Sequence, residues 1–571
     1  MAAALGIYGT RPPAALGADA AVDQFSATRA IAHLSHFASV PHPRGSAANA
    51  QSRDYLIATL RDLGATVRVE ETVGRTIHKK VVQEGRVQNI VATLPGQERG
   101  RGVMLVAHYD SVPTGPGAAD DGAGVVSILE TLRALRAGPP LANDLLVLLT
   151  DGEEAGLLGA AGFVAAHSDL ARQVGVVINL EARGTSGPAL IFETSEQNGW
   201  LIPEFARAAP RPLASSLMYS VYRLMPNDTD LTELKRTGVG AFNFAFTETV
   251  RNYHASSDTV ENLDPRSVQH MGVNVLGLVR HLGNLPLTEV KQSDCIYFNW
   301  LGQRLVFYPV GVAWILSAVT FTLLFGAFVI GQRRGLMRWS ALSLGAFFIL
   351  FLSISGGMLV VWLLLRAVIG DPLQLGDTLG NQLLFLGLVV LAFALGSAIM
   401  SALSAKLGAR TLAAGLLLVA AILTTILILL LPGASYLLQW PALLGAGSLL
   451  LGLRARTAAG NAGWAVLAAL PVVLLLAPLF YLFFANLGLS QVSLLATALL
   501  LTLLLATAWP LFDFIYRPRR AMTLACAIAA LLLIVGGVLL SRLTNDRERA
   551  ADQGTRKILP LALSTSNDPR R

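Results

Sequence analysis

The sequence predicts an α/β domain, in which helices sandwich a mixed central sheet, followed by an all-α bundle of about eight transmembrane helices. Two observations predict this order. Before about residue 300, short apolar runs alternate with helical stretches and regularly spaced charged residues. After residue 306, the apolar runs reach about 20 residues, the length that crosses a bilayer. The whole chain has 571 residues, of which 53% are apolar and 14% charged, whereas soluble chains carry roughly 25% charged residues.

The first half contains segments that are β-branched-rich or continuously apolar, as buried strands are. These candidate strands cover residues 87–94, 103–107, 145–150, 174–180, 189–192, 217–222 and 239–246. The spacing of apolar residues predicts helices over 25–37, 46–63, 122–137 and 157–167. Ser46 is a plausible N-cap and Gly64 a plausible helix stop. Strands without polar alternation are buried on both faces, so we expect helices on both sides of the sheet.

The apolar runs of the second half predict a polytopic membrane domain. They cover residues 306–331, 341–364, 381–403, 411–431, 435–453, 463–485, 490–512 and 521–541. The predicted divisions are a leader or linker over 1–24, the α/β domain over 25–290, a linker over 291–305, the transmembrane domain over 306–541 and a polar tail over 542–571. No span has a charged residue near its midpoint, as intramembrane ion pathways usually do. We therefore expect the bundle to act as an anchor or platform rather than as a transporter.

The basic residues also fit a membrane protein. The formal net charge is +7, but many basic residues stand in pairs between apolar runs, such as Arg333-Arg334 and Arg519-Arg520, which is typical of cytoplasmic loops. The expected partner is therefore membrane lipid and not nucleic acid. The two cysteines, Cys295 and Cys526, supply neither a disulfide framework nor a thiolate metal site.

Polar motifs follow the ends of several predicted strands, where an open α/β sheet presents its ligands. His108 follows the strand at 103–107 and can donate an imidazole nitrogen to a metal, while Asp110 can accept the other ring N–H. Asp120 and Asp121 stand in a glycine-rich turn at the start of a predicted helix. Carboxylates at this position also cap helices, an interpretation that suits Asp121 in particular.

Three further motifs follow later strands. Glu153 and Glu154 stand side by side after the strand at 145–150, where two carboxylates repel each other unless a cation or a proton compensates. Glu181 follows the next strand, and Tyr253-His254 follow the strand at 239–246. Imidazoles and carboxylates without thiolate suit zinc, manganese or cobalt. A shared carboxylate can hold two ions about 3.5–4 Å apart, and a spare glutamate can then transfer protons.

The order of these motifs resembles the di-zinc exopeptidase family, clan MH, which includes bacterial leucyl aminopeptidases and glutamate carboxypeptidase II. The resemblance implies two zinc ions per chain and a peptide substrate, most simply one that loses N-terminal residues, although carboxypeptidase action stays open. It also implies a role for each motif residue by position: Asp120 as the bridging ligand, His108 and Glu181 on one zinc, Glu154 and His254 on the other, Glu153 as general base, Asp110 as the partner of His108, and Tyr253 as a group that polarises the scissile carbonyl.

A second resemblance concerns the arrangement of the whole chain. A domain of this kind followed by many spans is similar to the group of vacuolar membrane proteases and endoplasmic reticulum metallopeptidases, and residues 41–46 resemble an early motif of that group. Two departures stand out. Many soluble aminopeptidases of the family have Asp where Glu181 stands, which weakens any analogy of substrate. The N-terminal span that is usual in the group is also missing.

Two other functions fit the same fold. A glutaminyl cyclase-like acyltransferase resembles this chain in its ligands but typically works with one zinc, so metal stoichiometry separates the two. A catalytically silent receptor or assembly subunit is the alternative from another class. Silent relatives have usually lost ligands, whereas all five ligands and Glu153 are present here.

The loops between the spans predict the orientation. The first, third, fifth and seventh loops carry most of the loop Lys and Arg residues, and such loops stay in the cytoplasm. The α/β domain is then expected on the non-cytoplasmic face of a bacterial cytoplasmic membrane or, in a eukaryote, of an organelle membrane. Residues 1–8 are too short to export it. We therefore expect a native chain that begins further upstream, or, as the weaker alternative, export of the domain by the first span.

Overall fold

The computed structural model describes residues 2–562, apart from 79–80, 99, 224, 226, 303, 339, 370–377 and 516–518. Contacts divide the chain into two compact units. The first comprises Met1–Thr322, Ala420–Leu443 and Leu470–Leu479, and the second comprises Leu323–Val419, Leu444–Ala469 and Phe480–Arg571.

A seven-stranded mixed sheet organises the first unit, with the strand order β1-β2-β4-β3-β5-β7-β6. The strands are β1 Thr66–His78, β2 Val81–Leu94, β3 Gly102–His108, β4 Leu145–Thr150, β5 Val174–Ala182, β6 Leu190–Thr194 and β7 Gly240–Phe246. The four central strands β4, β3, β5 and β7 are parallel, and the outer pairings β1–β2, β2–β4 and β6–β7 are antiparallel. The C-terminal ends of the four parallel strands therefore lie along one edge of the sheet.

Helices cover both faces of this sheet, as the sequence predicts. The helices of residues 2–282 are α1 Ala2–Tyr8, α2 Ala27–Ala32, α3 Leu34–Phe37, α4 Ala47–Asp62, α5 Gly122–Arg136, α6 Leu158–Ala166, α7 Leu170–Gln173, α8 Leu201–Ala208, α9 Ser216–Tyr222, α10 Asp230–Leu234 and α11 Pro265–Leu282. Every residue of β3 is buried. Its alternate residues contribute to two separate apolar clusters, Leu105 to one with α5 and α11, and Val106 to the other with α6 and α10.

Helix α4 begins and ends where the sequence predicts. The Ser46 hydroxyl accepts a hydrogen bond from the N–H of Asn49 at 3.0 Å, which makes Ser46 the N-cap. Gly64 follows the helix with φ +86°, a conformation that glycine adopts without a Cβ penalty.

The prediction of a strand over 217–222 is wrong, because Ser216–Tyr222 form helix α9. Ser215 caps this helix by accepting a hydrogen bond from the N–H of Leu217 at 3.2 Å. A short apolar run fits both the helical and the strand periodicity of apolar residues. The cap at Ser215 favours the helix here.

Three segments outside the predicted sheet are also regular. Strand β1 pairs with β2 along its whole length, and its many charged residues hide it from a search for apolar runs. Residues 291–305, predicted as a linker, contain most of an antiparallel hairpin formed by β8 Cys295–Trp300 and β9 Arg304–Pro309. The predicted leader contains α1.

Within the described residues, eight helices are long and apolar enough to cross a membrane, in agreement with the eight predicted spans. They are α12 Val310–Arg333, α13 Ala341–Ile369, α14 Leu379–Leu407, α15 Ala409–Leu430, α16 Tyr436–Arg454, α17 Ala458–Leu487, α18 Gln491–Ile515 and α19 Arg519–Ala562. The short 3₁₀ turn Pro432–Ala434 separates α15 from α16. Helix α19 continues into the predicted tail, whose last residues, 563–571, lie outside the described part.

Candidate metal centre

The parallel strands bring the predicted motifs to one edge of the sheet. His108 is the last residue of β3, Glu153 and Glu154 follow β4, and Glu181 is the next-to-last residue of β5. His254 lies in the segment after β7. Because neighbouring parallel strands end at the same edge, side chains that are far apart in sequence become neighbours there.

Asp120 lies between the two histidines. Its Oδ1 atom is 3.2 Å from Nε2 of His108, and its Oδ2 atom is 3.2 Å from Nε2 of His254. Each carboxylate oxygen therefore faces a different imidazole nitrogen, which is the arrangement that a bridging ligand requires.

The other two carboxylates divide between the same histidines. Oε1 of Glu154 lies 3.1 Å from Nε2 of His254, and Oε2 of Glu181 lies 3.9 Å from Nε2 of His108. The ligand atoms of His108, Asp120 and Glu154 all lie within 4.8 Å of one another. The structure thus brings His108, Asp120, Glu154, Glu181 and His254 close together at this edge of the sheet.

The charges of this cluster favour a cation. Burial, and then the charge of Asp120, raise the pKa of Glu154 to about 7. Burial raises the pKa of Glu181 to about 8, and Asp120 contributes to this shift too. Oε1 of Glu154 is buried and lies 3.1 Å from Nε2 of His254, so this oxygen can be a metal ligand. A divalent ion relieves both the burial penalty and the mutual repulsion, and the nitrogen and oxygen donors suit zinc.

The histidines respond to the same carboxylates. Burial lowers the pKa of His254, but Asp120 and Glu154 outweigh it and raise this pKa to about 10. Burial likewise opposes the charged form of His108, whose pKa is nevertheless raised by Asp110 and Asp120. The two imidazoles lower the pKa of Asp120 to about 2 despite its burial.

Asp110 makes a different contact from the predicted one. The Nδ1 atom of His108 lies 2.9 Å from the backbone oxygen of Asp110 and 3.5 Å from its carboxylate Oδ1. The main partner of the ring is thus a carbonyl, which directs Nε2 toward the cluster. The carboxylate Oδ1 instead accepts a hydrogen bond from the N–H of Glu153 at 3.1 Å. Asp110 therefore links the His108 loop to the Glu153 loop.

Two other predicted residues occupy clear positions. The ring of Tyr253 stacks on that of His254 with centroids 3.8 Å apart and an angle of 22°. Asp121 caps α5, as its position predicts: its Oδ1 accepts from the N–H of Gly124 at 3.1 Å and its Oδ2 from the N–H of His108 at 3.2 Å.

Sequence reasoning assigned no role to two buried aspartates. Asp258 accepts hydrogen bonds from the N–H groups of Ala119 and Asp120, and burial raises its pKa to about 7. Asp230 accepts a hydrogen bond from Thr150, and burial raises its pKa to about 6. Asp258 stands near the Tyr253-His254 motif, a signal that could have found it, whereas Asp230 follows no predicted strand.

A cavity of about 710 Å³ opens beside the loop that carries the glutamates. Arg44, Arg53 and Arg86 are among the residues that line it. A Cβ atom on Gly152 would lie 2.6 Å from Cδ of Arg44, so the two residues are in close contact. Arg44, within the motif at residues 41–46, therefore contacts the residue that precedes Glu153.

Imidazole and carboxylate donors, most of them buried, gather at the C-terminal edge of an α/β sheet, which makes this part of the chain a candidate metalloenzyme domain. Residues 89–279 match the sequence profile of Peptidase family M28. Zinc is the metal that this match supports.

The chain is similar to endoplasmic reticulum metallopeptidases and to vacuolar membrane proteases. It is 28% identical over 323 residues to endoplasmic reticulum metallopeptidase 1 of Rattus norvegicus. This alignment covers 52% of this chain and 35% of that protein. It is 29% identical over 272 residues to a vacuolar membrane protease of Candida albicans. This alignment covers 47% of this chain and 31% of that protein. The chain thus spans about a third of the length of these relatives.

Among solved structures, an aminopeptidase from Aneurinibacillus sp. strain AM-1 is similar with a TM-score of 0.39 and 12% identity. The alignment covers 48% of this chain and 98% of that one.

Proposed function

We propose that this chain is an integral membrane exopeptidase that removes N-terminal residues from peptides at a site for two zinc ions. The position of Asp120 carries the proposal, because its two carboxylate oxygens each lie 3.2 Å from a different histidine. In this proposal, His108, Glu181 and Asp120 hold one ion, and Glu154, His254 and Asp120 hold the other.

Zinc bound there would lower the pKa of a water molecule and polarise the scissile carbonyl. Glu153 is the proposed general base, because it stands beside a ligand and makes no close approach to either imidazole within the described contacts. It takes a proton from the attacking water and returns it to the leaving amine. Burial raises the pKa of Glu153 well above that of a free carboxyl, which is the direction that helps a carboxylate act as a base.

Two neighbours assist these steps in our proposal. Asp110 holds the backbone N–H of Glu153 and thereby orients the base. Tyr253, whose ring stacks on that of His254, is the residue that we propose to donate a hydrogen bond from its hydroxyl to a developing oxyanion. We further propose that the domain faces the non-cytoplasmic side of its membrane.

The test uses the full-length protein in detergent or nanodiscs, with zinc analysis beside a panel of free peptides, N-blocked peptides and peptides with N-terminal glutamine. We expect two zinc ions per chain, hydrolysis of free peptides only, loss of activity with a chelator and recovery with zinc. Asp120→Ala should lose both ions, whereas the exposed control Asp62→Ala should keep both.

Other outcomes identify the alternatives. One zinc per chain with cyclisation of N-terminal glutamine indicates an acyltransferase. Bound zinc without turnover of any peptide indicates a silent subunit. Full zinc occupancy in Asp120→Ala contradicts the shared ligand.

A further inference from the structure

Three buried polar side chains stand in register across neighbouring strands of the sheet. The backbone pairing sets Asn179 of β5 opposite Asn243 of β7, and Asn243 opposite Glu193 of β6. All three are at most 2% exposed, although the strands around them are largely apolar. Burying polar groups costs free energy unless they are hydrogen-bonded. We call Asn179, Asn243 and Glu193 the polar ladder.

A β-bulge aligns the last member of the polar ladder. The pairing of β6 with β7 shifts between Ile191 and Glu193, so Phe192 is left out of the pairing. Side chains alternate between the two faces of a sheet, so without this extra residue Glu193 would stand opposite Phe242. The bulge therefore turns Glu193 to the same face as Asn243.

Hydrogen bonds connect the polar ladder to a predicted metal ligand. Nδ2 of Asn243 donates to Oε2 of Glu193 at 2.9 Å and to Oγ1 of Thr229 at 2.9 Å. Oδ1 of Asn243 accepts from Nδ2 of Asn179 at 2.9 Å. Nδ2 of Asn179 also donates to Oε1 of Glu181 at 3.2 Å. This chain of bonds therefore ends on a carboxylate of the candidate metal centre.

The chain of bonds has one direction. An ionised carboxylate only accepts, so Asn243 turns its NH₂ toward Glu193 and its oxygen toward Asn179. Asn179 must then direct its own NH₂ at Asn243 and Glu181, and its oxygen has no partner within the described part of the chain. Reversing either amide would set two acceptors against each other in a buried place, which is costly. Oε1 of Glu181 is thereby occupied, and Oε2 is the oxygen that lies 3.9 Å from Nε2 of His108.

A lysine closes the other end of the polar ladder. Nζ of Lys235 donates to Oε1 of Glu193. The side chain of Lys235 is 26% exposed, whereas that of Glu193 is 3% exposed. Lys235 begins the 3₁₀ turn Lys235–Thr237, directly after α10. A buried carboxylate without a partner is costly, so Lys235 supplies the countercharge that the polar ladder requires.

We propose that the polar ladder, with Lys235 at its outer end, positions Glu181 to bind zinc. The ladder holds Oε1 of Glu181 through Asn179 and leaves Oε2 for the metal. Asn179, Asn243, Glu193 and Lys235 are then positioning residues, which act through Glu181. This inference rests on the proposed function, in which Glu181 is a zinc ligand.

The first test measures zinc affinity in the full-length protein by competition titration against a chelator. Asn179→Leu keeps a similar volume but cannot donate to Glu181. We expect the affinity for the ion that Glu181 holds to fall about 10–100-fold, as the loss of an outer partner typically does. Asn274→Leu is the matched control, because Asn274 is equally buried but its amide bonds to the backbone of Arg211, and it should bind zinc like the wild type. Wild-type affinity in Asn179→Leu overturns the proposal.

The second test acts at the far end of the polar ladder, where the side chain is partly exposed. Lys235→Met keeps the length of the side chain but removes the charge, so Glu193 no longer holds Asn243 in one orientation. We expect zinc affinity to fall about three- to tenfold, the size of one hydrogen bond. The control Arg236→Met removes the neighbouring cation, which is mostly exposed and pairs with Glu233, and should leave the affinity unchanged. Wild-type affinity in Lys235→Met overturns the role of Lys235.

A double-mutant cycle tests whether the two ends act along one path. If Lys235 reaches Glu181 through Asn179, then Lys235→Met should have no further effect on zinc affinity in an Asn179→Leu background. Equal losses in both backgrounds overturn the proposal. Peptide hydrolysis separates this inference from the proposed function. A wild type that binds zinc without hydrolysing any peptide contradicts the peptidase function, whereas the zinc affinities of the variants still decide the role of the polar ladder.

Discussion

The Oδ2 atom of Asp258 accepts a hydrogen bond from the backbone N–H of Asp120 at 3.2 Å. The Oδ1 atom of the same carboxylate accepts from the N–H of Ala119 at 2.8 Å. Both aspartates are buried. A residue 138 positions away in sequence therefore holds the loop that presents the proposed bridging ligand.

Asp258→Asn is expected to weaken zinc binding by about 10–100-fold, as the loss of an outer partner typically does. The amide keeps the size of the side chain but turns one acceptor into a donor that faces a backbone N–H. A competition titration against a chelator measures the affinity, and the exposed Asp169→Asn serves as the control. Equal affinities in both variants would show that the loop holds its shape without Asp258.

Glu153→Gln and Glu154→Gln should separate proton transfer from metal binding. We expect Glu153→Gln to lower kcat by about 10²–10⁴-fold, the usual contribution of a general base, with normal zinc content. Glu154→Gln should lose zinc, because Glu154 is the carboxylate that lies 3.1 Å from His254. Steady-state kinetics and metal analysis check both variants. Full activity in Glu153→Gln would assign the proton to another group.

Asp110→Asn should reduce zinc affinity by about tenfold, the lower end of the range for such partners. The ring of His108 keeps its contact with the backbone oxygen of Asp110 at 2.9 Å, so only the weaker carboxylate contact at 3.5 Å changes. The variant should also lower kcat, because the carboxylate holds the N–H of Glu153. Wild-type kinetics together with wild-type affinity would leave Asp110 without a functional role.

His270 should make the first compact unit less stable in mild acid. This histidine is buried: its Nδ1 accepts from the N–H of Ala189 at 3.1 Å, and its Nε2 donates to the carbonyl oxygen of Arg211 at 2.9 Å. Burial lowers its pKa from 6.5 to about 4. The unfolded chain therefore takes up the proton first, so this stabilisation is complete above pH 6.5 and is lost as the pH falls toward 4.

The expected loss of unfolding free energy between pH 7.5 and pH 5 is about 2 kcal/mol from this residue. Chemical denaturation in detergent at the two pH values measures it. His270→Gln should remove that part of the pH dependence. The control His36→Gln changes an exposed histidine and should leave the pH dependence of stability as in the wild type. The same pH dependence in His270→Gln and wild type would assign the acid sensitivity to other groups.

The orientation in the membrane is testable with reporter fusions. Reporters in the first and fifth loops, next to Arg334 and Arg456, should report a cytoplasmic location. Reporters at the turn Pro432–Ala434 and in the peptidase domain should report the opposite side, because α9 contacts that turn. Protease accessibility in sealed vesicles provides an independent measurement. A cytoplasmic peptidase domain would contradict our proposed location.

Local pattern predicts much of this fold, but not all of it. Strands β3, β4, β5 and β7 are central and buried, so their apolar runs are recognisable. Strand β1 lies at the edge of the sheet and carries charged residues, so composition hides it. Helix α9 has the composition of a strand, and only its cap and its packing partners make it helical.

The sequence by itself determined the kinds of donor, their positions after strand ends and the number of spans, because these depend on residue type and on local periodicity. Only the tertiary structure decided which oxygen of Asp120 faces which histidine, that Asp258 holds the Asp120 loop, and that the turn at Gly433 meets α9. Those contacts join residues more than a hundred positions apart, or depend on how a single carboxylate is rotated. Long-range contacts and side-chain rotation leave no periodic pattern in the sequence, so they depend on the packing of the folded chain.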